Sequence, residues 1–275
     1  MDSLTETLMI TAYHRPKTLE EALKLLTQSG RVPLGGGTLL SHASTALSTG
    51  GTADPVEAVD LQLLGLDTLT KSGNDPSTGS GQRLHIGATL TLQSLLESEH
   101  CPEALKRALK LEAPINIRNM ATVAGTLVAC DGRSTFATAL LALDARLEIR
   151  DSVDQSRVSS LGDFLPLRPR GLITSITIPL NIKFAFESVA RTPSDSPIVC
   201  VAVAGWASGR TRMAVGGYGK SPMLAMDGAS TSDELLRSAQ AAARNAFHEA
   251  TDDFGSSEYR MDVAATLAKR CVEGL

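Results

Sequence analysis

One stretch, residues 115–145, constrains the fold most, because its polar, glycine-bearing turn runs directly into a short apolar helix. Its sequence is INIRNMATVAGTLVACDGRSTFATALLALDA. The central glycine turn, as we call it, consists of Thr122, Val123, Ala124, Gly125 and Thr126. Since glycine has no side chain, backbone N–H groups can approach a polar ligand closely here. The turn therefore predicts a ligand site, and the alternative is a tight turn that only leads into a core helix.

The helix predicted after this turn has a start signal and an apolar face. Ser134 is a residue type that caps helix N-termini by accepting a hydrogen bond from a backbone N–H. Apolar side chains then recur at helical spacing. They are Phe136, Leu140, Leu141 and Leu143. We expect them to dock the helix into the core.

A second glycine-bearing turn lies near the N-terminus. Residues 32–34 predict a short strand, and three glycines follow it at once. Consecutive glycines free the backbone to present a concave set of N–H donors, which suits a pyrophosphate. A flexible turn is the alternative interpretation. The N-terminal glycine turn, as we call it, consists of Leu34, Gly35, Gly36, Gly37, Thr38 and Leu39.

Two other nucleotide-binding patterns match only in part. Gly35 and Gly37 fit the start of a Rossmann G-x-G-x-x-G fingerprint, and Asp60 lies near the expected acidic position, yet Leu40 occupies the third glycine place. A Rossmann-type nicotinamide-binding protein is thus an alternative that an antiparallel sheet over residues 84–178 would exclude. Residues 216–221, GGYGKS, resemble a P-loop but lack its first glycine, and we reject that reading.

Charge and residue spacing exclude several classes of protein. A net charge of −4 with 26 scattered Lys and Arg argues against nucleic-acid binding. The first ten residues lack a secretion signal, and no apolar run reaches the roughly 20 residues of a membrane span. The four cysteines are far apart and the histidines form no ligand pair, so we expect no metal site. Unpaired thiols indicate a cytoplasmic protein.

The order of predicted elements indicates an α+β protein with two domains. We place the boundary near Leu180, between a domain of residues 1–180 and one of residues 181–275. The second domain is predicted to contain a small antiparallel sheet of three strands, followed by two helices. The strands are residues 184–190, 198–206 and 213–215, and the helices are residues 232–249 and 257–272.

Several segments in one order resemble a known family. They include YHRPKTLEEALKLL, VPLGGGTLL, LHIGATLTLQSLL, IRNMATVAGTLVA, ALLALDA and RMAVGGYGKSPMLA. The chain resembles the FAD-binding subunit or domain of the molybdenum hydroxylases, the xanthine dehydrogenase and aerobic carbon monoxide dehydrogenase family. The resemblance implies a PCMH-type FAD-binding domain of two α/β subdomains, followed by the small antiparallel sheet and helices.

The resemblance also implies the cofactor site. The N-terminal glycine turn would hold the FAD diphosphate, and the central glycine turn would lie along the ribityl chain and the diphosphate. Leu167 would line the flavin. Thr135 stands where the family has an aspartate, and Ser188 where it commonly has a lysine. Arg133 is a hypothetical replacement phosphate contact.

By resemblance the chain is an oxidoreductase subunit with no catalytic side chain of its own. It would receive electrons from a 2Fe–2S iron–sulfur subunit and pass them to a nicotinamide, a quinone or oxygen. These electrons would originate at a molybdopterin subunit. Because Thr135 and Ser188 both lack the family's charge, an FAD-free scaffold subunit of such a complex is the alternative.

Overall fold

The computed structural model describes residues 10–38, 55–73, 81–229 and 232–275. Of the predicted site residues, Leu39 lies outside these ranges. The strands are β1 (Ile10–His14), β2 (Arg31–Leu34), β3 (Val56–Asp60), β4 (Leu69–Ser72), β5 (Arg83–Gly87), β6 (Arg146–Arg150), β7 (Ser156–Ser160), β8 (Leu172–Pro179), β9 (Lys183–Val189), β10 (Val199–Gly205), β11 (Arg210–Gly216) and β12 (Met223–Ala229). The helices are α1 (Leu19–Leu26), α2 (Leu92–Glu97), α3 (Glu103–Glu112), α4 (Ile115–Arg118), α5 (Val123–Ala129), α6 (Thr135–Ala142), α7 (Leu161–Leu167), α8 (Ser232–Asn245) and α9 (Ser257–Glu273).

The first layer is a three-stranded parallel sheet in the order β1-β3-β2, with α1 packed beside it. Strand β2 is an edge strand, which accommodates Pro33 because proline cannot donate a ladder hydrogen bond. The N-terminal glycine turn therefore leaves the edge of a small sheet, rather than the switch point of a doubly wound one.

The second layer excludes the Rossmann alternative. Its five strands, in the order β4-β5-β8-β6-β7, are all antiparallel, and they cover the range whose pairing decides the question. Asp60, the acidic residue of that reading, is buried and accepts hydrogen bonds from the Tyr13 hydroxyl and the Gln62 N–H. The Rossmann interpretation was wrong because the local glycine pattern says nothing about strand direction.

The C-terminal sheet has four strands, in the order β12-β11-β10-β9, and all are antiparallel. The three predicted strands are present, but the prediction missed β12. Its sequence, MLAMDGA, combines Ala, Asp and Gly, which have low β propensity, and most of its residues are exposed. Pairing with β11 along this edge, not sequence pattern, fixes it as a strand. The predicted helices at 232 and 257 are α8 and α9, although α8 ends four residues earlier than expected.

Strand β10 is buried on both faces and joins two cores. Its valines face α8 and α9, whereas Cys200, Ala202 and Ala204 share a core with α6 and the five-stranded sheet. The small side chains on this second face let α6 approach the sheet closely. As predicted, Ser134 caps α6, and every residue of this helix is buried. None of the described helices is long and apolar enough to cross a bilayer.

Candidate functional site

Two cavities meet at the N-terminal glycine turn. The polar cavity has a volume of about 420 Å³ and the apolar cavity one of about 370 Å³. Both are lined by Gly35, Gly36, Thr89 and Thr122. We call these four residues the junction. The polar and apolar compartments therefore adjoin at the junction, and we call the two together the groove.

The two compartments differ in chemistry. Gln62, Asp67, Ser94 and Asn119 line the polar cavity. The apolar cavity is lined mainly by aliphatic side chains and glycines. Among the described residues, no lysine or arginine lines either cavity, and Asp67 is the one charged side chain. An anionic group at the junction would therefore depend on neutral donors rather than on cations.

Close contacts and backbone conformation require glycine in the N-terminal glycine turn. A side chain at residue 36 would overlap the backbone carbonyl oxygen of Met120, and a Cβ at residue 35 would lie 2.7 Å from Thr122 Oγ1. Gly37 has a φ of +68°, in the left-handed region that favours glycine. The turn can lie against residues 120–122 only because two of its residues lack side chains.

The same turn offers unused donors. Within the described chain, the N–H groups of Gly35 and Gly36 have no hydrogen-bond partner. Buried backbone donors are almost always paired, so unpaired N–H groups on a cavity wall are suited to a ligand acceptor. This is the geometry expected from the sequence.

The central glycine turn differs from the expectation, because it is the start of a helix. Its backbone donors are already used inside the protein, by the N–H groups of Val123, Ala124, Gly125 and Thr126. They donate to Leu90 O at 2.9 Å, Ala88 O at 3.2 Å, Thr122 Oγ1 at 3.2 Å and Thr122 O at 2.9 Å, respectively. The prediction that these N–H groups face a ligand is wrong, since Leu90 and Ala88 accept two of them and Thr122, at the start of the helix, accepts the other two.

Thr122 keeps one polar function for the groove. It is the N-cap of α5, and its Oγ1 accepts the Gly125 N–H. A hydroxyl that accepts one hydrogen bond can still donate its own hydrogen. Thr122 lines both cavities, so this hydroxyl is the group that the central glycine turn presents to a ligand.

Leu167 does not line the groove. It is the last residue of α7, and 79% of its surface is exposed. The leucine near this position that lines the apolar cavity is Leu172, at the start of β8, next to Ile173. Sequence position alone could not separate two leucines five residues apart on either side of a tight turn.

Thr135 also lies away from both groove cavities. It is buried, and its hydroxyl lies 2.7 Å from Ala108 O and 3.0 Å from Glu112 Oε2. Although Glu112 as a whole is partly exposed, its carboxyl group accepts hydrogen bonds from the Ser134 hydroxyl and the Phe136 N–H. Removal of this carboxyl group from water raises its pKa. Thr135 is thus part of the buried start of α6.

Arg133 packs against the C-terminal domain. Its guanidinium lies 3.5 Å from the centre of the Phe254 ring and 3.7 Å from an oxygen of Asp252. It lines neither groove cavity. The structure therefore places Arg133 away from the groove, and its contact with a phosphate stays an untested hypothesis.

A match to a family model decides which family this chain belongs to. Residues 8–181 match the FAD binding domain in molybdopterin dehydrogenase. The chain belongs to this family. Residues 184–275 match the CO dehydrogenase flavoprotein C-terminal domain.

Relatives of this FAD-binding family match the chain over almost its whole length. The carbon monoxide dehydrogenase medium chain of Afipia carboxidovorans is 27% identical over 287 residues, which cover 95% of each chain. The glyceraldehyde dehydrogenase medium chain of Sulfolobus acidocaldarius is 25% identical over 94% of this chain and 96% of the relative. Reconstituted CO dehydrogenase from Oligotropha carboxidovorans has a chain of similar structure, with a TM-score of 0.79, 26% identity and 96% coverage of each chain.

These matches confirm the family suggested by the sequence. The chain is an FAD-binding medium subunit of the molybdenum hydroxylase type, an oxidoreductase subunit, and its cofactor is FAD. They also confirm the α+β fold.

The residues of the groove fit this cofactor. The unpaired N–H groups of Gly35 and Gly36 are suited to phosphate oxygens, and the groove has one polar and one apolar compartment. The polar cavity is also lined by Thr89, Asn119 and Met120, which were not predicted from the sequence. Asn119 and Met120 directly precede the central glycine turn, so their position next to a predicted turn was the available signal. No sequence signal identified Thr89.

Proposed function

We propose that this subunit binds FAD along the groove, with the diphosphate at the junction, and transfers electrons between redox centres of a molybdenum hydroxylase complex. One observation supports the position of the cofactor most strongly. The unpaired N–H groups of Gly35 and Gly36 lie where the polar and apolar compartments meet.

In this proposal the protein binds FAD, orients it and shields part of it from water. Gly35 and Gly36 donate to phosphate oxygens, and the Thr122 hydroxyl adds a third donor. Leu172 and Ile173, in the apolar cavity, exclude water from one half of the cofactor. Bound FAD supplies the redox chemistry, and the protein sets its position and surroundings.

No lysine or arginine of the described ranges lines the cavities at the junction, and this has a consequence for binding. Neutral donors hold an anion without forming a fixed ion pair, so FAD affinity should depend only weakly on ionic strength. Binding should depend strongly on the close approach of the glycine backbone to the ligand.

The partners follow from the medium-subunit assignment. Two relatives are named as medium chains of carbon monoxide dehydrogenase and glyceraldehyde dehydrogenase. We infer that this chain assembles with a 2Fe–2S iron–sulfur subunit and a molybdopterin subunit, and passes electrons to an external acceptor. All four cysteines are unpaired and buried, which supports the proposal that the complex works in the cytoplasm.

The test is the chromophore of the freshly purified chain. We expect a flavin absorption band, release of FAD on denaturation with its mass confirmed, and a stoichiometric amount per chain. Colourless protein that fails to take up added FAD would contradict the proposal. Rapid reduction of the bound flavin by reduced iron–sulfur subunit, mixed in stoichiometric amount, would test the electron-transfer role separately.

The FAD-free scaffold now has less support. Thr135 prompted it, but the Thr135 hydroxyl bonds inside the protein and lines neither groove cavity. Ser188 is half-buried in β9, opposite Cys200 of β10. The family's cofactor favours the FAD-binding role.

A further inference from the structure

Thr89 has a hydroxyl group with no partner at the junction. Its Oγ1 atom is buried and forms no hydrogen bond within the described chain, although the residue lines both cavities. Buried hydroxyl groups are normally bonded, and an isolated one is costly to leave unpaired. Since Thr89 lines both cavities, we infer that its hydroxyl forms its hydrogen bond with a ligand.

The backbone around Thr89 is fixed on three sides. The Thr89 N–H donates to Leu66 O at 2.9 Å, and the Ala88 N–H donates to Thr174 O at 3.1 Å. The Ala88 carbonyl accepts the Ala124 N–H at 3.2 Å. Threonine is also stiff at its first side-chain torsion. The hydroxyl is therefore held at the junction by neighbours that do not bond to it.

We propose that the Thr89 hydroxyl donates a hydrogen bond to a phosphate oxygen of bound FAD. This inference rests on the proposed function. The diphosphate joins the two halves of the cofactor, and the junction joins the two compartments. With Gly35 and Gly36, Thr89 would complete a set of neutral donors where no described lysine or arginine is present.

The assignment makes two predictions that a structural role would not. Because the hydroxyl has no protein partner, its removal should not destabilise the FAD-free protein. Because the contact is to phosphate, its removal should change the environment of the phosphorus atoms but leave the flavin absorption band in place.

The experiment compares Thr89→Val, which removes the hydroxyl at nearly constant shape, with Thr89→Ser, which keeps it. Thr70→Val is the matched control, since Thr70 is exposed on β4 and lines neither cavity. FAD affinity is measured by titration of the FAD-free full-length chain, the diphosphate by phosphorus NMR of the FAD-bound chain, and stability by thermal unfolding without FAD.

We expect Thr89→Val to bind FAD about 10- to 100-fold more weakly, since hydrogen bonds to charged groups are among the stronger ones. A phosphorus resonance should move, the flavin band should stay, and the melting temperature without FAD should not fall. Thr89→Ser and Thr70→Val should resemble the wild type.

Each other result overturns the inference. Unchanged affinity in Thr89→Val would mean that the hydroxyl is not used. Weaker binding with unchanged phosphorus resonances would place the contact elsewhere on the cofactor. A lower melting temperature without FAD would assign Thr89 a structural role. If the wild-type chain binds no FAD, the proposed function itself fails, and this inference fails with it.

Discussion

The two glycine turns meet at one site but use their glycines for different purposes. In the N-terminal glycine turn, Gly35 and Gly36 allow close packing on residues 120–122 and leave their N–H groups unpaired. In the central glycine turn, the four N–H groups from Val123 to Thr126 are already bonded inside the protein. Two glycine-bearing turns can therefore have different roles. The roles are distinguished only by the hydrogen-bond acceptor of each backbone N–H group.

The difference also explains how the turns depend on each other. Thr122 caps α5, and the same hydroxyl lies where a Cβ on Gly35 would come within 2.7 Å. The N-terminal glycine turn packs against the start of the central glycine turn and carries the unpaired N–H donors. Substitutions in the two turns should therefore have unequal effects.

The largest effect is expected from Gly36→Ala. The new methyl group would overlap the Met120 carbonyl oxygen, so the turn must move away from this residue. We expect FAD binding at least about 100-fold weaker and a free energy of unfolding lower by about 2–3 kcal/mol. Titration with FAD and denaturant unfolding check this. Gly228→Ala is the control, since no heavy atom lies within 4 Å of the added carbon. Wild-type FAD affinity in Gly36→Ala would contradict the claim that FAD binding needs the close packing of this turn.

A smaller effect is expected from Thr122→Val. It removes the acceptor of the Gly125 N–H and the one hydroxyl that the central glycine turn presents to the groove. We expect about 1 kcal/mol lower stability from the lost cap and roughly tenfold weaker FAD binding. Thr122→Ser keeps both functions and should behave as the wild type in both assays. Equal losses in the two variants would show that the methyl group, not the hydroxyl, matters.

Glu112 extends the comparison to the helix after the central glycine turn. Removal from water raises the pKa of the Glu112 carboxyl group above its ordinary value of 4.5. The folded chain therefore holds the proton of this carboxyl group more tightly than the unfolded chain does. Its contribution to stability is fully present below about pH 4.5 and is lost as pH rises through the raised pKa.

We therefore expect Glu112→Gln to flatten the fall of stability with rising pH, measured as melting temperature from pH 4 to 8. Glu103→Gln is the control, since Glu103 is exposed at the start of α3, the helix that ends at Glu112, and this variant should leave the slope unchanged. A slope in Glu112→Gln as steep as that of the wild type would contradict the assignment.

The smallest effect is expected from Ala124→Gly, which places a second glycine next to Gly125 in the central glycine turn. The Ala124 N–H already donates to Ala88 O, so a second glycine frees no donor. We expect FAD affinity to change by less than about threefold, while stability falls by roughly 0.5–1 kcal/mol through the cost of glycine in a helix. A large gain in affinity would show that the central turn's N–H groups do reach the ligand.

Much of the fold could be predicted because its signals are local. The capping role of Ser134, the apolar residues of α6 and the strand before Gly35 depend on residues a few positions apart. Strand β12 could not be predicted in this way, because pairing with β11 compensates for its weak β propensity.

The sequence indicated which two turns line the groove but not which contacts they make. Both glycine turns line the groove, as expected from their sequences. The partners that decide their roles are distant in the chain, as Leu90 and Ala88 are for the central turn and Glu112 is for Thr135. Leu167 and Thr135 were misplaced for the same reason, since tertiary contacts determine which side chains face a cavity.

Amide hydrogen exchange, followed by NMR with and without FAD, tests the unequal roles of the two turns most directly. We predict that the amides of Gly35 and Gly36 exchange rapidly in the FAD-free chain and become protected on FAD binding. Those of Val123 to Thr126 should be protected in both states, because their acceptors belong to the protein. Rapid exchange at residues 123–126 without FAD, followed by protection when FAD binds, would contradict the account.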